Sequence, residues 1–231
     1  MDPKPPPIDR IIVDAILAGS IRAGTRLGEQ ALATLFEVSR TSIREALIRL
    51  ETRGIIQVSP RRGWFVIEPS LEEAQEAFQA RRAVELGILR TATAGSTVAE
   101  KLRDHIRQER EAISAGDVGA RSYLLGDFHV CMAEACGHRI LADILRDLTA
   151  RTVLISALYQ STHDAQESCD EHQDITDAIA ANDSQRAAEL LIAHIGNVES
   201  GLTKRIDHDP LLDLRQALRL NTPTASSGVR S

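Results

Sequence analysis

Three histidines in the second half of the chain have the residue type and spacing of a metal or ligand site. His129, His172 and His194 each fall in the apolar stripe of a different predicted helix. Inward-facing histidines on three helices of a bundle can converge on one point, where such folds build metal and ligand sites. Imidazole nitrogens suit Zn²⁺ and Ni²⁺, and three of them leave a coordination position open. The pattern predicts a divalent metal site, with metal-free, hydrogen-bonded histidines as the alternative.

The same three histidines are compatible with two other functions. A metal with an open position can activate water, so a metal-dependent hydrolase or isomerase is one alternative. No carboxylate stands out beside these histidines as a general base, which disfavours that alternative. A protein that senses the metal ion directly is the other.

A second group of chemistry-bearing residues lies near the N-terminus. Residues 40–62 contain six arginines and two glutamates, although the whole chain has 27 Lys and Arg against 33 Asp and Glu. Residues 1–69 carry a net charge of +2, so the acidic excess belongs to the remainder. A short basic stretch on an acidic chain is the electrostatic footprint of a nucleic-acid-binding element.

Three short helices and a hairpin are predicted to carry these arginines. Apolar spacing indicates one helix over 8–18 and a second over about 29–36, with Leu32 and Leu35 facing inward. Ser39 is a suitable N-cap for a third helix, which stops at Gly54. Two β runs follow, joined by a turn that ends at a glycine able to take positive φ; they span 55–59 and 64–68. This order of elements predicts a winged helix-turn-helix.

The third helix and the hairpin tip are the predicted DNA-contacting parts. Arg40 and Arg44 lie one turn apart and can fork onto guanine edges. Small hydroxyl side chains suit phosphate contacts at the helix N-terminus, and arginines at the hairpin tip can enter the adjacent minor groove. The predicted DNA-binding residues are Ser39, Arg40, Thr41, Ser42, Arg44, Arg49, Arg61, Arg62 and Gly63.

Beyond residue 70 the sequence predicts only helices, over 71–94, 97–115, 117–136, 138–163, 166–181 and 184–206. The expected fold is mainly α, with a winged helix-turn-helix over 1–69, an all-helical bundle effector domain over 70–220 and a disordered tail over 221–231.

The composition argues against secretion and against the membrane. No apolar run approaches the roughly 20 residues that span a bilayer, and the first residues lack the apolar core of a secretory signal. Three cysteines in a chain of 231 residues do not indicate a disulfide framework. We expect a cytoplasmic protein.

The segment 21–66 strongly resembles the winged helix of the GntR family of bacterial regulators. The resemblance rests on residues at the family's spacing: Gly24, Leu27, Leu32, Ala33, Val38, Ser39, Arg40, Thr41, Arg44, Glu45, Ala46, Leu47, Leu50, Gly54, Gly63 and Val66. It implies that Arg40 and Arg44 contact bases and that Ser39, Thr41, Ser42 and Gly63 support them. Glu37 is a departure, since a glycine commonly precedes the valine in this family.

The segment 71–206 resembles the FCD effector domain of the FadR subgroup of that family. The similarity lies in residues 80–89, 127–141 and 171–195 and in the spacing between them. Many members bind a divalent metal through an aspartate and three histidines, and His129, His172 and His194 match the histidines. Leu125 stands where the aspartate is expected, so zinc or nickel would have three protein ligands here.

The resemblance also implies an effector site. Arg81 matches an arginine that often meets an effector carboxylate, although a salt bridge with Glu85 is the alternative, and Asn197 lies one turn after His194. Members that sense acyl-CoA generally lack these histidines, so we expect a small organic acid or related metabolite. The expected function is a homodimeric, operator-binding repressor that leaves double-stranded DNA when this effector binds.

Overall fold

The computed structural model describes residues 7–91, 96–159 and 164–202. Its elements in chain order are α1 (Ile8–Leu17), β1 (Arg26–Leu27), α2 (Glu29–Leu35), α3 (Arg40–Thr52), β2 (Ile56–Ser59), β3 (Gly63–Val66), α4 (Leu71–Thr91), α5 (Ser96–Ser114), α6 (Val118–Ala135), α7 (Arg139–Leu158), α8 (Ala165–Ala180) and α9 (Ser184–Ser200). The mainly α fold with a winged helix is therefore confirmed. The predicted tail 221–231 lies outside the described residues.

The wing is a three-stranded antiparallel sheet rather than a simple hairpin. The strand order is β1-β3-β2, with Arg26 opposite Phe65 and Val58 opposite Trp64. The sequence predicted β2 and β3 but no strand before α2. A strand of two residues has no alternation to recognise, which explains why β1 was missed.

The turn before α3 contains backbone strain at Glu37. Its φ is +55°, the left-handed conformation that closes a helix C-terminus and favours glycine. This conformation explains why a glycine commonly occupies the position in the family, since a glutamate adopts it only with strain. Leu35 at the end of α2 was predicted to face inward, and this is wrong, because its side chain is 74% exposed.

The helical half is a bundle in which α5 packs between α6 and α8, while α4 packs on α7 and α9. Its core contains Phe78, Leu102, Phe128 and Leu191, all fully buried. None of the helices in the described residues is long and apolar enough to cross a membrane.

The winged helix and the bundle are packed against each other through α1 and α7. The core of the winged helix includes Ala150 and Leu154 of α7. Arg53 at the end of α3 donates to Asp147 of α7 and to Asp9 of α1. The DNA-binding half is therefore held by apolar contacts and ion pairs to a helix that belongs to the bundle.

Candidate nucleic-acid interface and metal centre

The recognition helix α3 presents its polar side to solvent. Its apolar face of Ile43, Ala46, Leu47 and Leu50 is fully buried. Ser39 caps the helix, since its Oγ accepts from the backbone N of Ser42 at 3.1 Å. Arg40, Thr41 and Arg44 are exposed, and Ser42 is half-buried. The predicted reading residues are thus accessible at one end of one helix.

Glu29 of α2 holds the two proposed base-contacting arginines together. Its carboxylate accepts from Nε and Nη2 of Arg44 at 2.9 and 2.8 Å and from Nη2 of Arg40 at 3.3 Å. Trp64 of the wing also donates to it, at 3.2 Å. The hydrogen bonds from Arg44 lower the pKa of Glu29 to about 2. Glu29 therefore links the recognition helix to the wing.

The other predicted DNA-binding residues lie in two settings. Arg61, Arg62 and Gly63 are at the wing turn, where Arg61 has φ of +65° and Gly63 of +95°. Arg49 points along the opposite part of α3 and donates to Asp9 at 2.8 and 3.1 Å. Its guanidinium is therefore paired with α1, although the Arg49 side chain is 51% exposed.

His129, His172 and His194 converge in the bundle. They come from α6, α8 and α9, are nearly fully buried, and offer nitrogen atoms that all lie within 4.8 Å of one another. The ring of His172 stacks on Phe128 with centroids 3.9 Å apart, which fixes its orientation. The apolar spacing of each helix therefore predicted correctly that three side chains up to 65 positions apart in the chain lie together.

Each of these histidines is held by a glutamate through Nδ1. The distances are 2.7 Å from His129 to Glu85, 3.1 Å from His172 to Glu109, and 2.7 Å from His194 to Glu171. A carboxylate on one ring nitrogen orients the ring and increases the basicity of the other, as in the outer shell of metal-bound histidines. The sequence did not single out these three glutamates as partners.

The imidazoles are neutral, which is the form that binds metal. Burial is the main cause: it lowers the pKa of His172 to about 3 and that of His194 to about 4, and holds the pKa of His129 well below its ordinary value. Burial also raises the pKa of Glu109 to about 7.

The donor set fits a divalent metal. The Nε2 atom of His172 is buried and has no hydrogen-bond partner among the described residues. Such an atom costs free energy unless a cation or ligand meets it. Leu125 lies on the same face of α6 as His129 and lines the adjoining cavity. Asp127 lies outside this group, and its carboxylate accepts from Arg146 at 3.2 Å. The geometry supports three histidine ligands from the chain.

The adjoining cavity has a volume of about 590 Å³. Its wall includes the three histidines, Arg81 and two residues of α7, Thr149 and Thr152, and it also reaches Gly19 at the end of α1. The cavity therefore lies beside the candidate metal centre and extends to the winged helix.

The structure separates the two predicted effector-binding residues. Arg81 is buried in the cavity wall, where Nε donates to Glu85 at 2.6 Å and Nη1 to Thr152 at 3.0 Å. The proposed salt bridge with Glu85 is thus present, and it does not remove Arg81 from the cavity. Asn197 is exposed and is not part of the cavity wall; its amide donates to Glu171, the partner of His194.

Comparison with known proteins bears on both halves. Residues 8–66 match the family described as bacterial regulatory proteins, gntR family, and residues 76–197 match the FCD domain. The chain belongs to the GntR family. With its FCD domain it is a DNA-binding transcription regulator and not an enzyme, as the sequence indicated.

Individual relatives agree. The chain is 25% identical to the transcriptional regulator LutR of Bacillus subtilis over 80% of its own length and 94% of LutR. It is 25% identical to the transcriptional repressor RspR of Escherichia coli, covering 84% and 87% of the two chains. The fold is similar to that of E. coli McbR/YncC, with a TM-score of 0.72 at 20% identity over 84% of this chain and 94% of that one. A GntR regulator from Rhodococcus sp. RHA1 gives 0.70 at 23% identity over 84% and 95%.

Proposed function

We propose that this regulator is a repressor that contacts its operator through Arg40, Arg44 and the wing turn. The observation that carries the proposal is the pair of exposed arginines one turn apart at the start of a capped helix whose opposite face is buried. Guanidinium groups in this arrangement can donate to guanine edges, and Ser39, Thr41 and Ser42 are positioned for phosphates. Since the target is operator DNA, the proposed place of action is the cytoplasm.

The proposal assigns zinc or nickel to His129, His172 and His194. The support is the convergence of three neutral imidazoles, each held at Nδ1 by a glutamate, together with an Nε2 of His172 that has no hydrogen-bond partner among the described residues. When bound, a divalent ion would supply Lewis-acid chemistry to an oxygen ligand. Arg81, beside the histidines, offers donors for a carboxylate, so the proposed effector is a small organic acid.

The proposed route from effector to DNA is α7. Thr149, Thr152 and Val153 of this helix line the cavity, whereas Ala150 and Leu154 pack into the winged-helix core. An effector that prefers a slightly different position of α7 shifts the population toward winged-helix positions that no longer match the operator. This is the physical basis proposed for release.

The regulator is proposed to act as a homodimer. Two winged helices are needed for two operator half-sites. Ile140 and Ile144 lie one turn apart on α7 and are 78% and 45% exposed. This apolar surface supports an interface with a second copy.

The DNA-binding part is tested on a site selected from random DNA by the purified protein. Arg40→Ala and Arg44→Ala are each expected to weaken binding by about fivefold to 150-fold, the value of one base-contacting arginine. Arg107→Ala is the control, since Arg107 is exposed on α5 and pairs with Asp104. Unchanged affinity in the Arg40 and Arg44 variants would contradict the proposal.

The metal assignment is tested by metal analysis of protein purified without chelator and by zinc titration of chelator-treated protein. One ion per chain, lost in His172→Ala, is expected. If metal alone changes operator affinity without any organic acid, the protein senses the ion directly, and the effector part of the proposal is wrong.

A further inference from the structure

Hydroxyl side chains are the most frequent polar groups in the wall of the cavity beside the histidines. They belong to three helices, α6, α7 and α8, so the cavity is bordered by hydroxyls on more than one side. The hydroxyl-bearing residues of the wall are Ser122, Thr149, Thr152, Ser156 and Ser168. A hydroxyl group both donates and accepts hydrogen bonds, and such a wall therefore suits a ligand with several groups of the same kind.

Three of these hydroxyls have no partner among the described residues. The Oγ1 of Thr149 is buried and unpaired there, and the hydroxyls of Ser156 and Ser168 form no hydrogen bond there either. Ser122 and Thr152 donate to backbone oxygens at 2.8 and 3.0 Å. A buried polar group without a partner costs free energy, so a ligand that supplies hydrogen bonds to this wall gains affinity.

The part of the cavity away from the histidines contains both a cation and an anion. Arg121 comes eight residues before His129 on α6, and Asp164 comes eight residues before His172 as the cap of α8. Each charge therefore lies about 12 Å from the histidine of its own helix. Opposite charges together favour a neutral ligand group that can accept from the guanidinium and donate to the carboxylate, as a hydroxyl does.

We propose that the effector is a polyhydroxylated carboxylate, which is the chemistry of a sugar acid. Its carboxylate lies at the histidine end beside Arg81, and its hydroxyls lie against the hydroxyl-bearing residues of the wall. The cavity volume of about 590 Å³ is in the range of sites for ligands larger than a two- or three-carbon acid. This inference rests on the proposed organic-acid site and adds to it the chemistry of the rest of the ligand.

Ser156 is the wall residue best placed to determine specificity. It follows Thr152 by one turn of α7, and Thr152 accepts from the Nη1 of Arg81 at 3.0 Å. Its side chain lines the cavity and is only half-buried, so a ligand can reach it. An acid whose carboxylate lies beside Arg81 therefore places its next carbons within reach of the Ser156 hydroxyl.

The test is calorimetric titration of the full-length protein, loaded with zinc and freed of unbound zinc, with four six-carbon carboxylates. D-Gluconate, D-galactonate and D-mannonate differ in the configuration of their hydroxyls, and hexanoate has the same chain length and charge without hydroxyls. The best of the three sugar acids is expected to bind at least about tenfold more tightly than hexanoate, which two neutral hydrogen bonds can supply.

Two variants make the assignment specific. Ser156→Ala is expected to lower the affinity for that sugar acid by about twofold to tenfold, the value of one neutral hydrogen bond, and to leave hexanoate affinity unchanged. Ser114→Ala, at an exposed position at the end of α5 and outside the cavity, is expected to change neither. The wild-type comparison tests the proposal even if Ser156→Ala does not fold.

The outcomes separate this inference from the proposed function. Hexanoate binding as tightly as all three sugar acids, or a Ser156→Ala effect shared by hexanoate, would overturn the sugar acid and leave the organic-acid site intact. D-Glucitol has the hydroxyls without a carboxylate. If it binds as tightly as the best sugar acid, or if none of the four carboxylates binds, the proposed effector site itself is contradicted.

Discussion

Replacing one buried histidine should reduce the acid sensitivity of the metal-free protein by a predictable amount. His194 is 2% exposed, and its burial lowers its pKa to about 4 against an ordinary value of 6.5. At pH 5.5 it is neutral in the folded protein, whereas an unfolded chain binds a proton there. Replacement by glutamine removes this difference without removing a polar group.

The sign follows from proton binding. The unfolded state binds more protons between the two pKa values, so the stability contributed by neutral His194 is complete above pH 6.5 and is lost as the pH falls toward 4. From pH 7.5 to pH 5.5 one such histidine lowers the free energy of unfolding by about 1.4 kcal/mol. Burial raises the pKa of Glu109 to about 7, so Glu109 acts in the opposite direction in both proteins. The charge of a protonated His194 lowers this pKa, so part of the difference between the two proteins comes through Glu109.

The assay is urea unfolding of chelator-treated wild type and His194→Gln at the two pH values. The wild type is expected to lose about 1.4 kcal/mol more than the variant over this interval. His138→Gln is a control, since His138 is half-buried at the start of α7 and bonds to Thr91. Parallel losses in wild type and His194→Gln would refute the assignment of a neutral, buried imidazole to this position.

Three further substitutions test other parts of the structure. Glu29→Gln should reduce discrimination between the selected DNA site and a base-substituted site by about fivefold, the low end of one bidentate base contact, because the arginines lose their shared acceptor. DNA-binding titrations measure this, with Glu45→Gln as the control. Unaltered discrimination would argue against a positioning role for Glu29. Glu85→Gln should weaken zinc binding by about 10-fold to 100-fold, as measured by competition with a chelator. Glu72→Gln, at an exposed position, is the control. Equal zinc affinities of the two variants would contradict the outer-shell role of Glu85. Glu37→Gly should raise the free energy of unfolding by about 1 kcal/mol in urea titrations, because the backbone there has positive φ; a loss of stability would be inconsistent with strain.

Much of the winged helix could be predicted because local patterns determine it. The apolar spacing of α3, the Ser39 cap and the turn before Gly63 are all short-range features, and each is present in the structure. Leu35 shows the limit of this reasoning. On a helix of seven residues, apolar type alone does not decide which side is covered, and the core reaches Leu32 but leaves Leu35 in solvent.

The metal centre also contains both predictable and unpredictable features. The histidines could be found because each lies in the apolar stripe of its own helix. Their glutamate partners could not, since the hydrogen bonds to Glu85 and Glu109 join helices that are distant in sequence.

In the proposed mechanism, an organic acid bound at the histidine cluster controls DNA binding. The most direct measurement is fluorescence anisotropy of a labelled operator bound to the zinc-loaded protein during titration with the tightest-binding carboxylate. We expect the wild type to release the DNA over the concentration range in which the carboxylate binds, and the His172→Ala variant to keep it bound. Persistent DNA binding by a wild type saturated with that carboxylate would contradict the claim.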